Sequence, residues 1–157
     1  MALEFSPETR KKFDEIISRY PKKEAAMLPV LRLAQEEFGY LSAEAIEYVA
    51  AIMGVPAARV YGVVTFYTML NMKPVGRHHV QICRTLPCAL AGAERITATI
   101  KAKLGIGVGA TTPDGRFTLS EVECLASCGT APMMQVNDDY YENLREQSVG
   151  EILDKLK

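Results

Sequence analysis

Four cysteines constrain the fold of this chain more than any other feature of its sequence. They are the chain's only cysteines, and they form two close pairs, Cys83-x4-Cys88 and Cys124-x3-Cys128. Each pair lies where a predicted strand ends and a loop begins, and the loops are rich in Pro, Gly and Ser. If the two strands are neighbours in one sheet, both loops leave the sheet at the same edge. All four sulfurs can then converge.

The composition is that of an ordinary globular protein. Hydrophobic residues make up 48% and charged residues 24% of the 157 residues, so a sizeable core can be buried. A formal net charge of −1 gives no indication of a nucleic-acid partner. The longest strongly apolar uncharged run, residues 60–72, is shorter than the ~20 residues that a membrane-spanning helix needs.

The N-terminal segment, MALEFSPETRKKFDEI, mixes acidic and basic residues from its start. It lacks the order of a secretory signal and the acid-poor character of a transit peptide. We therefore expect a soluble, cytoplasmic protein with no direct membrane insertion. In a reducing cytosol, paired thiols serve as metal ligands or redox groups more often than as stable disulfides.

The first 71 residues have helical periodicity throughout, which predicts a bundle of four short helices. Their boundaries are predicted by the N-caps Ser6 and Ser42, the stop residues Gly39 and Gly54, and the helix-opening Pro56. The fourth helix is predicted to end near Met69.

The periodicity changes after a connector at 71–76 that is rich in turn residues. Alternating apolar residues predict strands at 77–83, 117–124 and 133–137, and helical spacing predicts a helix at 89–104. Asp138-Asp139 is the predicted hairpin turn, and Ser148 with Glu151 is the predicted capping box of a last helix. This order predicts an α/β (α+β) domain over 73–157, after a helical bundle over 1–72.

The spacing within each cysteine pair is suited to metal ligation. It lets two thiolates bind one metal while the intervening backbone N–H groups turn towards the sulfurs, and such hydrogen bonds help to set the potential of an iron–sulfur cluster. The pattern favours a cluster with one thiolate pair per iron. Structural zinc stays open, although zinc ribbons mostly use Cys-x2-Cys pairs. Disulfides, or buried cysteines acting as small hydrophobes, fit this cytosolic chain and its loops less well.

Most of the chain also resembles a known family. The matching stretches are LPVLRLAQEEFGYLS (28–42), VVTFYTMLNMKPVGRHHVQICRTLPCALAG (63–92) and DGRFTLSEVECLASCGTAPMMQVNDDYYENL (114–144). They resemble the small 2Fe–2S subunit, of the E type, that belongs to bacterial NADH-quinone oxidoreductase (respiratory complex I). Related subunits serve NAD(P)-linked hydrogenases and formate dehydrogenases. All four cysteines stand at the family's spacing.

The resemblance implies a thioredoxin-like 2Fe–2S ferredoxin domain after the helical bundle. It implies that Cys83 and Cys88 ligate one iron, and Cys124 and Cys128 the other. The chain would be a non-catalytic electron-transfer subunit that exchanges single electrons with the flavin of a partner subunit, and that flavoprotein would hold FMN and bind NADH. In complex I it would lie peripherally at the cytoplasmic face of the membrane. A hydrogenase or formate dehydrogenase is an alternative host, and a zinc-stapled interaction module is an alternative from another class.

No dinucleotide site is expected on this chain. Its one glycine-rich loop, from Gly105 to Gly109, follows a predicted helix and does not link a strand to a helix. The phosphate site that a helix N-terminus provides in dinucleotide-binding folds is therefore not predicted here. We interpret this loop as the stop of the helix that precedes it.

One departure from the family lies between the last two cysteines. The family commonly has Gly-Ala there, and this chain has Ala126 and Ser127. If the first position needs a positive φ, Ala126 is mildly strained. We also expect that the hydroxyl of Ser127 can donate to a sulfur, which would raise the potential of the cluster.

Overall fold

A computed structural model describes residues 3–156 of the chain. The chain divides into two compact units, Met1–Pro74 and Val75–Lys157. No helix among the described residues is both long and apolar enough to cross a lipid bilayer.

The first unit consists of helices, as predicted. They are α1 (Pro7–Ser18), a 3-10 turn (Lys23–Ala26), α2 (Met27–Phe38), α3 (Ala43–Met53) and α4 (Ala57–Phe66). The last helix ends earlier than the predicted Met69. The backbone becomes extended at Tyr67, and the turn that follows buries Leu70 in the core of this unit.

Local capping explains where these helices begin and end. The hydroxyl of Ser6 accepts a hydrogen bond from the backbone N–H of Thr9, and Ser42 caps α3 in the same way. Gly54 ends α3 with a φ of +69°, which a residue without a Cβ adopts at little cost. The predicted caps and stops of these helices are therefore confirmed.

The second unit combines a sheet with helices, which confirms the α+β class. Its elements are β1 (His78–Cys83), α5 (Leu86–Leu90), α6 (Ala93–Leu104), β2 (Phe117–Val122), a 3-10 turn (Cys128–Thr130), β3 (Met134–Val136), β4 (Asp139–Tyr141) and α7 (Glu146–Lys155). The strands lie in the order β2-β1-β3-β4. β1 is parallel to β2 and antiparallel to β3, and β3 is antiparallel to β4.

The core of this unit joins the sheet to α6 and α7. Its fully buried side chains include Val80 and Leu119 from neighbouring strands, Ile100 from α6 and Val149 from α7. The parallel pairing of β1 with β2 extends from His78 opposite Phe117 to Cys83 opposite Val122. This register fixes where the loops that carry the cysteines begin.

The predicted helix over 89–104 is wrong near its start, where residues 91 and 92 are not helical. The structure has two helices, because Gly92 has a φ of +97° and interrupts the helical backbone between α5 and α6. Leu90 fits the apolar stripe of α6 by spacing, but it belongs to the separate α5 and is 80% exposed.

Several other boundaries also differ from the prediction, and β1 and β3 are each shorter by one or two residues. β2 ends at Val122 instead of residue 124, because the chain leaves the sheet towards the second cysteine loop. The hairpin turn lies one residue earlier than predicted, because Asp139 already pairs with Val136 in β4. Ser148 is the third residue of α7, where its hydroxyl accepts from the N–H of Arg145, so Ser148 is not the N-cap.

Candidate metal centre

The sheet brings the two cysteine pairs to the same edge. β1 and β2 are parallel neighbours, so the condition for convergence of the sulfurs is met and the C-terminal ends of these strands lie side by side. Cys83 is the last residue of β1, and Cys88 follows within α5. Cys124 lies two residues beyond β2, and Cys128 begins a 3-10 turn. The topology therefore places all four predicted ligands at the ends of adjacent strands.

The first pair, Cys83 and Cys88, is buried. The two residues are 2% and 1% exposed, respectively. The hydroxyl of Thr85 lies 3.2 Å from the sulfur of Cys83. We call this the inner pair, because water has almost no access to either residue.

Hydrogen bonds give the two inner thiols different acidities. Burial alone would raise the pKa of Cys83. Hydrogen bonds to its sulfur have the larger combined effect, and they hold this pKa below its ordinary value. The donors are the Thr85 hydroxyl, the N–H groups of Leu125 and Thr85, and the Cys88 thiol. Burial, followed by the hydrogen bond with Cys83, raises the pKa of Cys88 to about 11. In the metal-free pair, Cys83 is thus the better anion and Cys88 the proton donor.

The second pair, Cys124 and Cys128, is exposed, and we call it the outer pair. Its sulfurs lie 4.0 Å apart, and the hydrogen bond with Cys124 raises the pKa of Cys128. The N–H of Ala126 donates to the sulfur of Cys124 at 3.3 Å. Ala126 has a φ of +61°, so the expected positive φ at this position is confirmed.

The two loops also interact with each other. The backbone of Leu125, from the outer loop, stabilises the thiolate of Cys83 in the inner pair. Cys128 interacts electrostatically with both Cys83 and Cys88. Within residues 3–156, no group of three or more His, Cys, Asp or Glu side chains is arranged to hold a single metal ion. The arrangement is two contacting pairs that face each other across adjacent loops.

This set of donors fits a [2Fe–2S] cluster. It offers four sulfurs as two pairs, so that each pair can bind one iron. Backbone N–H groups of Leu125, Ala126 and Met133 approach Cys83, Cys124 and Cys88, respectively. These groups supply the N–H···S bonds that such clusters use to adjust their potential.

The expectation for Ser127 is wrong. Its hydroxyl does not contact a sulfur but donates to the carboxylate of Glu142 and lies 2.7 Å from the hydroxyl of Thr130. An ionised carboxylate is a stronger acceptor than a cysteine sulfur, and it draws the hydroxyl away from the site.

Sequence reasoning missed two polar side chains near the site. Thr85 is the hydroxyl that does contact a sulfur, and its place two residues after Cys83 was a local signal that could have revealed it. Glu142 gave no local signal, because it lies 15 residues from Ser127 in the chain. The glycine-rich loop follows the prediction: Gly105, with a φ of +67°, ends α6.

Known proteins similar to this chain include subunits of NADH-quinone oxidoreductase. The chain is 50% identical over 147 residues to the E subunit of NADH-quinone oxidoreductase from Rickettsia conorii (strain ATCC VR-613 / Malish 7), and the match covers 92% of this chain and 88% of the relative. It is 45% identical over 157 residues to "NADH dehydrogenase [ubiquinone] flavoprotein 2, mitochondrial" of Dictyostelium discoideum, covering 98% of this chain and 64% of the relative. The resemblance found in the sequence is thus confirmed.

A solved structure has a similar fold. The crystal structure of an NAD+-reducing [NiFe]-hydrogenase in the air-oxidized state matches 83% of this chain with a TM-score of 0.72 at 19% identity. The match spans 22% of the hydrogenase chain. The family model described as "Thioredoxin-like [2Fe-2S] ferredoxin" matches residues 13–157. The chain belongs to the thioredoxin-like [2Fe–2S] ferredoxin family.

Proposed function

We propose that this chain is an electron-transfer subunit that holds one [2Fe–2S] cluster. Cys83 and Cys88 bind one iron, and Cys124 and Cys128 the other. The observation that carries the proposal is the meeting of two contacting thiol pairs at one edge of the sheet, in a member of a [2Fe–2S] family. When bound, the cluster accepts and donates one electron at a time.

The residues of the chain set the conditions for that transfer. Burial of the inner pair limits the access of water to one side of the site. The N–H groups of Leu125 and Ala126 and the hydroxyl of Thr85 offer hydrogen bonds to sulfur, which stabilise added negative charge. The exposed outer pair opens the site to a partner. The chain thereby sets potential and access and breaks no covalent bond of a substrate.

The hydride chemistry belongs to a partner. We assign FMN and the NADH site to a flavoprotein subunit of the same complex, and this chain exchanges single electrons with that flavin. The relatives named as subunits of NADH-quinone oxidoreductase support this division of labour, because a subunit name implies further chains. The helix-stop role of Gly105 also supports it.

The relatives favour complex I as the host. Two relatives named as E subunits of NADH-quinone oxidoreductase, from Rickettsia conorii and Rhizobium meliloti, share 50% and 43% identity with this chain, whereas the hydrogenase likeness at 19% is one of fold. We therefore place the chain in the peripheral part of a complex I, with an NAD(P)-linked hydrogenase as the second candidate host. We also propose that the two compact units correspond to two domains, a helical bundle and a ferredoxin domain.

Mixing the purified subunits tests the non-catalytic assignment. The oxidised chain alone should keep its visible absorbance when NADH is added. Addition of the co-purified flavoprotein subunit should then bleach that absorbance. Bleaching by NADH without the flavoprotein would overturn the assignment, and so would an absorbance that persists in the reconstituted complex.

A further inference from the structure

The carboxylate of Glu142, which lies outside the cysteine loops, is hydrogen-bonded to the outer loop, the loop that carries Cys124 and Cys128. Glu142 follows β4, and its Oε1 accepts hydrogen bonds from the hydroxyl of Ser127 and, at 2.5 Å, from the hydroxyl of Thr130. Ser127 directly precedes Cys128, and Thr130 lies two residues after it. Glu142 is therefore hydrogen-bonded to the chain on both sides of Cys128, one of the predicted ligands.

When Glu142 is ionised, the hydroxyls of Ser127 and Thr130 can both donate to its carboxylate. Ser127 and Thr130 have one hydroxyl proton each, and their oxygens lie 2.7 Å apart. A carboxylate only accepts, so both protons can point to its Oε1. The pKa of Glu142 lies below its ordinary value, mainly because of the Ser127 hydroxyl and then the Thr130 hydroxyl. The ionised form is thus the one that this arrangement favours.

The backbone strengthens the same connection. The N–H of Thr130 donates to the carbonyl of Ser127 at 3.2 Å, and the N–H of Asn143 donates to the carbonyl of Thr130 at 2.7 Å. Glu142 and Asn143, which follow β4 directly, are therefore both hydrogen-bonded to the outer loop. The β3–β4 hairpin carries these residues, so the position of the loop depends on the sheet.

The outer loop needs such support, because its backbone is strained. Ala126 has a φ of +61°, a conformation that residues with a Cβ rarely adopt. That conformation directs the N–H of Ala126 to the sulfur of Cys124 at 3.3 Å. If the loop relaxed, this N–H would turn away, and the hydroxyl of Ser127 would be free to turn towards the sulfurs.

We infer that Glu142 is a positioning residue for the outer cysteine pair: through Ser127 and Thr130 it holds the loop in its strained form and keeps the Ser127 hydroxyl off the sulfurs. The inference deepens the proposed function and rests on it. Glu142 touches no cysteine and acts only through the two hydroxyls. Its effect on the potential, which comes from the Ser127 hydroxyl, must therefore depend on Ser127.

The test uses the full-length chain with its cluster. Glu142→Gln keeps the length of the side chain but removes the charge, and Ser127→Ala installs the residue that the family commonly has there. Both single variants and the double variant are compared with wild type. Iron and acid-labile sulfide are measured first. The midpoint potential of the cluster and the rate of iron loss to a chelator are measured next.

Glu142→Gln should shift the potential to more positive values, because a neutral amide oxygen accepts less strongly than a carboxylate and so competes less well for the Ser127 hydroxyl, which can then donate to sulfur. It should also lose iron several-fold faster than wild type. In the Ser127→Ala background, the same change should produce a smaller shift of the potential. Glu123→Gln is the matched control, since it removes a carboxylate next to Cys124 that binds Arg84 and no loop hydroxyl. This control should lose iron at the wild-type rate.

Two results would overturn the inference. One is a Glu142→Gln protein whose potential and iron loss equal those of wild type. The other is a potential shift of the same size with and without the Ser127 hydroxyl, which would show that this hydroxyl does not carry the effect of Glu142 on the potential. If Glu142→Gln does not fold, Ser127→Ala alone decides: it should speed iron loss, and wild-type stability of the cluster would contradict the inference. A wild-type chain without iron and sulfide would instead refute the proposed function itself.

Discussion

The hydroxyl of Thr85 lies 3.2 Å from the sulfur of Cys83. It is the one side-chain hydroxyl that the structure places in hydrogen-bond contact with a predicted ligand among the described residues. A sulfur bound to iron only accepts, so Thr85 would donate to it. A donor near the cluster stabilises the reduced form, which carries one more negative charge.

Thr85→Val should therefore lower the midpoint potential of the cluster. A net hydrogen bond of about 1 kcal/mol corresponds to roughly 40 mV for one electron. Thr85→Ser is the matched control, because it keeps the hydroxyl, and it should retain the wild-type potential. A redox titration followed by the spectrum of the cluster checks both variants. Equal potentials for the valine and serine variants would show that the contact does not affect the cluster.

Ala126→Gly should stabilise the chain. Ala126 has a φ of +61°, which costs a residue with a Cβ about 1 kcal/mol or more, while glycine adopts it freely. Part of the gain is offset by the greater freedom of glycine in the unfolded chain, so we expect up to about 1 kcal/mol in the free energy of unfolding.

Ala91→Gly is the control for this change. Ala91 has an ordinary φ of −79°, so glycine brings no relief of strain there and should cost about 0.5–1 kcal/mol. Urea unfolding of the two variants and wild type, at equal cluster content, measures the difference. If both glycines destabilise the chain to the same extent, the backbone of Ala126 is not strained.

Serine replacements should separate the role of a cysteine in the fold from its role in the cluster. Cys88 is 1% exposed, so Cys88→Ser buries a hydroxyl and should destabilise the metal-free chain by about 1–3 kcal/mol. Cys128 is exposed, and Cys128→Ser should change the stability of the metal-free chain by no more than about 0.5 kcal/mol.

Both variants should nevertheless fail to hold a normal cluster. Unfolding of the metal-free proteins and iron analysis after reconstitution give the two readouts independently. A Cys128→Ser protein with a full complement of iron and sulfide and an unchanged spectrum would remove Cys128 from the set of ligands.

Acidification should weaken the first unit through Glu37. Its carboxylate accepts from the hydroxyl of Thr9 at 2.6 Å and from the N–H of Ser6 at 3.0 Å. The Thr9 hydroxyl is the main cause that lowers the pKa of Glu37 in the fold. Because the unfolded chain has the higher pKa, the stabilisation is complete above about pH 5 and is lost as the pH falls through the lower, folded pKa.

Glu37→Gln should therefore flatten the dependence of stability on pH between about 5 and 3. Thr9→Val keeps the charge of Glu37 but removes the main cause of its lowered pKa, and it should flatten the same region in part. Urea unfolding at a series of pH values measures the slopes. A Glu37→Gln slope identical to that of wild type would contradict this account.

Features that depend on a few neighbouring residues were predictable from the sequence. Ser6 and Ser42 mark helix starts because their hydroxyls bond to an N–H only three residues away. The resemblance to the family, which commonly has a glycine at this position, indicated where a positive φ would strain Ala126, and its φ is +61°. The sequence also predicted that each cysteine pair lies at the end of a strand, whereas the adjacency of β1 and β2 was known only from the structure.

Features that depend on distant parts of the chain were not predictable in this way. Leu90 has the spacing of the α6 stripe, but the backbone at Gly92 turns it out to solvent. Glu142 reaches Ser127 only because the β3–β4 hairpin folds back towards the outer loop. No residue near Ser127 in sequence signals that partner, and its hydroxyl was therefore wrongly assigned to a sulfur.

The most direct test of the account is metal analysis of the purified full-length chain together with electron paramagnetic resonance after reduction. We predict iron and acid-labile sulfide in equal amounts, enough for one [2Fe–2S] cluster per chain, and the signal of a single reduced centre. Zinc in stoichiometric amount, without iron or sulfide, would contradict the account and leave the four cysteines as a structural zinc site.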